Sequence, residues 1–250
     1  MITIKNKMAI EKMATAGRIL AQMFLEIPDI IKPGISTLEI DSWISKKLQE
    51  NKMISKTKGY KTYNHSSCIS INEEVVHGVP QDSKKIKKGD LVKVDVCASY
   101  SGYCADMTRC FFVGTPPSDS AKKLVDVAYE SLDAGINLMC PGNFLTDISA
   151  AIQQVVEKNG FGVVRDFAGH GIGKSMHEDP EILNYGKPGR GIKLLPGMTF
   201  ALEPMITMGS YKIIVENDGW TARTVDKSLA AHVEDTILIT ENGPQILTRL

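Results

Sequence analysis

Shifted by 108 positions, this 250-residue sequence falls on itself. Pro33-Gly34 lands on Pro141-Gly142, Ile40 on Ile148, Ile44 on Ile152 and Asn51 on Asn159. Further along, Gly89 lands on Gly197, and Asp95 in GDLVKVD lands on Glu203 in GMTFALE. One shift aligns helical and strand-like segments without a gap, which is the mark of a duplicated unit. Each unit reads as two helices followed by strands. The expected architecture is a single α+β domain over residues 1–250, with two pseudo-symmetric halves of roughly 1–114 and 115–250 in which helices cover antiparallel sheet. Gly114–Ser118 (GTPPS) forms the passage between them. A site at the pseudo-twofold interface would draw ligands from both halves.

The helices follow from apolar spacing. Residues 8–26 place Ile10, Met13, Ala14, Gly17, Leu20, Ala21 and Phe24 at helical intervals. Ser36 or Thr37 caps a second helix running to about Gln49, and 118–139 and 147–158 read as two more. Strand patterns occupy CISIN, LVKVDVCASY and ADMTRCFFV, then GMTFALEPMITM, YKIIVEN, TARTV and HVEDTILIT. Residues 46–61 hold six lysines against one glutamate and read as a mobile basic stretch.

Composition removes whole classes of function. Twenty-nine basic residues cancel 29 acidic ones, so no global positive field favours nucleic acid. No run approaches the ~18 apolar residues of a membrane span, and the first residues lack the apolar core of a secretory signal. The five cysteines, Cys68, Cys97, Cys104, Cys110 and Cys140, are odd in number and form no C-x-x-C pair. Neither a disulfide framework nor a zinc knuckle is indicated, and a cytoplasmic protein is expected.

Four carboxylates stand where strands should be apolar: Asp95, Asp106, Glu203 and Glu234. In VKVDV, the valines at 92, 94 and 96 share one face, and Lys93, Asp95 and Cys97 share the other. Any one of these carboxylates could close a strand at the surface. Four converging in a core would repel one another and lose hydration, at several kcal/mol each. Two divalent cations would offset that charge. His170, in DFAGHGIG, lies among glycines that let backbone approach closely. His177 follows seven residues on, and His77 stands beside a strand in EEVVHGVP. His65 and His232 read as surface or secondary residues.

The array Asp95, Asp106, His170, Glu203 and Glu234 closely resembles that of the type I methionine aminopeptidases, pita-bread metallopeptidases. The matching stretches are SCISINEEVVHGVP, GDLVKVDV, GYCADMTRCFFVG, GHGIGKSMHEDP, PGMTFALEP and DGWTARTVDKSLAAHVEDT. Together they span nearly the whole chain. The resemblance implies removal of the N-terminal methionine from nascent polypeptides whose second residue is small, by a hydroxide activated between two divalent metal ions. Asp95 would chelate one ion, His170 and Glu203 would hold the other, and Asp106 and Glu234 would bridge them. The oxygen-rich set with one imidazole suits Co, Mn, Fe(II) or Zn. His177 would bind the scissile carbonyl or its oxyanion. His77 would contact the scissile nitrogen or assist proton transfer to it, and Glu203 would relay the proton. The methionine pocket would comprise Tyr60, Tyr63, Cys68, His77, Met176, His177 and Trp220.

Some positions depart from the family pattern. Thr57 replaces a common cysteine and Met176 a common phenylalanine, so side-chain selectivity is expected to relax. Ala230 lacks the serine oxygen expected at a monovalent-cation site of some relatives. Aminopeptidase P and prolidase share the five ligands but usually carry an N-terminal domain, and only 94 residues precede Asp95 here. Type II enzymes insert a helical segment between the last two glutamates, which are 31 positions apart here. A non-catalytic relative acting as a binding module would typically lose ligands, whereas all five are present. A monomer is expected, with ribosome docking through the lysines of 46–61 as a further expectation. Because Ile2 is β-branched and stiff, the chain is also expected to keep its own Met1.

Overall fold

The computed structural model of the chain describes residues 2–250, so the expectation about Met1 lies outside the described residues. Four helices form: α1 (Lys7–Ile30), α2 (Thr37–Glu50), α3 (Asp119–Asn137) and α4 (Leu145–Lys158). Side-chain oxygens of Asn6, Ser36 and Ser118 accept from the otherwise unpaired backbone N–H of Ala9, Glu39 and Ala121. At α2 the Glu39 carboxylate also accepts from the Ser36 N–H, closing a capping box. The four amphipathic helices lie over antiparallel strands. No helix among the described residues is long and apolar enough to cross a membrane.

The 108-residue offset recurs in the hydrogen bonds. Both ends of α4 are displaced by that number from those of α2. The Gly34 N–H bonds Ile86 O at 2.8 Å, and the Gly142 N–H bonds Leu194 O at 2.9 Å. Both glycines hold φ near +90°, where a Cβ would be strained. Strand Ile54–Ser55 pairs with Leu91–Tyr100 in the register Ser55 to Ala98. Strand Gly162–Val163 pairs with Met205–Thr207 in the register Val163 to Ile206. Each half has its own core. Leu20, Phe24, Ile40 and Ile44 pack on Val92, Val94 and Val96. Leu124, Leu132, Ile148 and Ile152 pack on Phe200, Leu202 and Ile237.

The opposite face of Leu91–Tyr100 is buried as well: Lys93 and Cys97 are each 1% exposed, and second-half residues Ala201 and Leu238 share a core cluster with Cys97. Two readings change. The segment GMTFALEPMITM is two strands, Thr199–Leu202 and Met205–Thr207, broken where Pro204 has no N–H to give. HVEDTILIT likewise breaks between Ala230–His232 and Asp235–Thr240. At the first break the chain crosses from the five-stranded to the three-stranded sheet, at the second it crosses back, and the carboxylates Glu203 and Glu234 stand at the crossings. The basic stretch is tied down: Ile54 and Ser55 pair with Ser99 and Ala98, and the Gly59 N–H bonds Tyr63 O at 2.8 Å.

Candidate metal centre

The paired strands Leu91–Tyr100 and Tyr103–Phe112 set Asp95 opposite Thr108 and Asp106 opposite Cys97, so the two aspartates share a face. Thr108 in turn forms an isolated bridge with Glu234. The two residues exchange backbone hydrogen bonds of 3.1 and 3.3 Å, and the Thr108 hydroxyl donates to Glu234 Oε2 at 2.8 Å. This contact joins the halves. His170 enters from strand Gly169–Gly171, between Thr199–Leu202 and Glu178–Ile182. Its neighbours have to be glycine: a Cβ on Gly171 would stand 2.1 Å from Asp179 O, and one on Gly169 2.6 Å from Ala201 O.

Single donor atoms of Asp106, His170 and Glu234 all lie within 4.8 Å of one another. His170 Nε2 is 3.5 Å from Glu203 Oε1 and 4.0 Å from Asp106 Oδ2. Its Nδ1 lies 3.0 Å from Gly171 O and donates there, which leaves the Nε2 lone pair facing carboxylate oxygens. Glu234 Oε1 is buried without a hydrogen-bond partner. Acceptors facing acceptors, away from water, need cations between them. The donor set therefore fits divalent metal ions.

The electrostatics carry the same sign. Burial, with Asp106 nearby, pushes Asp95 up to about 8. Burial, reinforced by Glu203, pushes Asp106 to about 7, and burial alone takes Glu203 to about 8. Glu234 is driven well above the carboxylate range, first by burial and then by the other three acids. Burial lowers His77, His170 and His232 to about 4 each, holding them neutral. Without a metal the cluster prefers protons to four negative charges.

The four acids, His77 and His170 line a cavity of about 370 Å³. The structure brings all twelve sequence-derived site residues to its wall: Tyr60, Tyr63, Cys68, His77, Asp95, Asp106, His170, Met176, His177, Glu203, Trp220 and Glu234. Residues 11–241 match the metallopeptidase family M24. The chain belongs to that family. A methionine aminopeptidase of Clostridium acetobutylicum is 46% identical over 248 residues, 99% of each chain. The solved structure of a methionine aminopeptidase from Thermotoga maritima matches with a TM-score of 0.97 at 45% identity, covering all of both chains. A prolidase from Pyrococcus furiosus matches with a TM-score of 0.79 at 25% identity, and here the chain spans 65% of the prolidase. The α+β architecture is the M24 pita-bread fold.

In this M24 chain His177 meets the His170 ring edge-on at 4.4 Å and the Tyr60 ring at 5.4 Å. Trp220 stands 5.1 Å from Tyr63 and 6.4 Å from His77. The Tyr63 hydroxyl is spent on Ser67 O and Gly78 O, so this residue offers the chamber its ring. His77 holds the left-handed conformation, φ +58°. That strain costs on the order of 1–3 kcal/mol for a residue with a side chain and concentrates at functional sites.

His232 is a correction to the sequence reading. It is 2% exposed, and its Nε2 lies 3.4 Å from Glu203 Oε2. Its place comes from pairing with Met205, which sets it beside Glu203. The local AAHV pattern carries no trace of that long-range contact. His65 stays outside the cavity, 3.3 Å from Asp41. Phe167 was also missed; it lines the chamber with its ring 5.1 Å from His77. Its position three residues before His170, in the same glycine-rich loop, was the available signal.

Proposed function

We propose that the chain is a methionyl aminopeptidase that removes the N-terminal methionine from nascent polypeptides whose second residue is small. The observation that carries this reading is the convergence of five metal-type donors from both halves on one face of a chamber whose other walls are aromatic and sulfur-bearing. The full-length likeness to methionine aminopeptidases supports the substrate. We assign Asp95 to one ion, His170 and Glu203 to a second, and Asp106 and Glu234 to both; Co, Mn, Fe(II) and Zn suit these donors. Bound there, divalent metals supply Lewis acidity and lower the pKa of water toward neutrality.

The chain's own groups do the rest. Tyr60, Tyr63, Cys68, Met176 and Trp220 hold the methionine side chain, a flexible thioether suited to aromatic and sulfur walls. His177 donates to the scissile carbonyl as negative charge develops on its oxygen. His77 contacts the scissile nitrogen. Glu203 takes a proton from the attacking water and passes it to the leaving amine. An adjoining hollow of about 850 Å³, which shares Tyr60, Phe167, His170 and His177 with the chamber, receives the polypeptide beyond the cleaved bond. The protein acts as a single catalytic domain with halves meeting near 114/115, as a cytoplasmic monomer, and docks on ribosomes through the lysines of 46–61.

Hydrolysis of Met-Ala-Ser by the metal-loaded protein, lost on chelation and restored by Mn, is the expected result. No release of methionine under any of the four metals would overturn the reading.

A further inference from the structure

Lys93 has its charge in an unusual place. It follows Val92 on the strand that carries Asp95, on the same face, and its side chain is shut off from solvent. Its ammonium donates to the backbone carbonyl of Asn72 at 2.8 Å. No carboxylate forms an ion pair with it among the described residues. Burying an unpaired ammonium is costly and is tolerated where the surrounding field is negative. The carboxylates of Glu74 and Glu73 contribute to that field.

The carbonyl it holds is a junction. Asn72 adopts φ +53°, bonds the backbone of Leu91 in both directions, and gives its amide to Asp90. The same Asn72 O accepts from the Ala230 N–H at 3.1 Å. Asn72 thereby ties the first-half strand bearing Asp95 to the second-half strand Ala230–His232, which leads directly to Glu234. A neutral side chain at 93 would leave the corner without its charge. A short one would leave room for a free cation on the carbonyl.

We propose that the Lys93 ammonium is a built-in monovalent cation that clamps the Asn72 corner between the halves, positions Asp95 and Glu234, and makes the protein independent of free Na⁺ or K⁺. The inference rests on those two residues being metal donors. It is tested by unfolding and metal binding, readouts separate from peptide cleavage.

The chelated wild-type protein, Lys93→Ala and Lys93→Met are unfolded thermally in KCl, NaCl and tetramethylammonium chloride at equal ionic strength. Mn²⁺ affinity is then measured calorimetrically in each salt. The wild type is expected to behave alike in all three. Lys93→Ala loses about 10–100-fold in Mn²⁺ affinity in tetramethylammonium, with a lowered Tm, and saturable K⁺ or Na⁺ binding recovers both. Lys93→Met fills the space without charge and stays weak in all three salts. Should Lys93→Ala fold only when K⁺ or Na⁺ is present, that is the same rescue. A Lys93→Met protein with wild-type Mn²⁺ affinity, or a folded Lys93→Ala protein indifferent to the choice of cation, would overturn the proposal.

Discussion

His177 and Asp106 stand within one cavity yet predict opposite phenotypes. His177 touches His170 and Tyr60 through ring faces and edges and is not among the clustered donor atoms. His177→Ala is expected to lower kcat by about 10²–10³-fold, the typical loss of one oxyanion donor, with metal content intact. Asp106 sits at the centre of the cluster, so Asp106→Ala is expected to lose activity and paired metal together while keeping the fold. Metal stoichiometry beside peptide hydrolysis for both variants checks this; a parallel fall of both quantities in His177→Ala would make His177 a ligand instead. The acidic donors were legible in the sequence because a carboxylate inside an apolar strand conflicts with its surroundings. His232 was not, since a histidine at a strand end conflicts with nothing until Met205 and Glu203 are placed beside it.

At the scale of elements, the four helices and the long hairpin were readable from apolar period and capping residues. Two of the missed strands break β rules: Gly169–Gly171 is held by close backbone approach, and Glu178–Ile182 contains Pro180. Local propensity says nothing of an element whose reason is a neighbour's carbonyl. The lysine segment illustrates the converse, because its charge is readable but its partners are not. Lys47 pairs with Glu26 at 2.5 Å, and Lys46 lies 3.9 Å from Glu50. Lys46, Lys52 and Lys58 remain exposed, stand away from the chamber wall and are the residues to reverse. Changing these three to glutamate is expected to weaken ribosome cosedimentation at low salt and leave tripeptide hydrolysis unaltered. Unchanged cosedimentation would remove the docking proposal.

For the whole molecule, the buried acids make stability depend on pH and metal together. Asp95, Asp106 and Glu203 titrate near 7–8 when folded without metal and near 4 when unfolded. Their contribution is therefore complete below about pH 4 and is lost as pH rises through 7–8. The neutral histidines oppose this: with folded values near 4, they contribute fully above about 6.5 and lose that contribution as pH falls. The two trends offset each other between 4 and 6.5, so the acids act alone from 6.5 to 8. Chelated protein is expected to lose stability across that window, on the order of a few kcal/mol. Metal-loaded protein should hold steady, and metal binding should release protons. Thermal scans with and without chelator, and calorimetry in buffers of different ionisation enthalpy, measure both; a chelated protein whose Tm rises from pH 6.5 to 8 would contradict the assignment.

The seam at Thr108 and Glu234 makes catalytic competence a record of finished assembly. Asp95 and Asp106 leave the ribosome well before His170, Glu203 and Glu234, and one hairpin suffices to hold them together. The remaining donors take their places only after the later half has folded and been buttoned to that hairpin. A chain stalled in synthesis, or split with its parts adrift, owns two aspartates and no nucleophile-generating centre. An enzyme proposed to trim chains as they emerge thus has a quarantine of its own: it stays inert until the segment that carries Glu234 is in place.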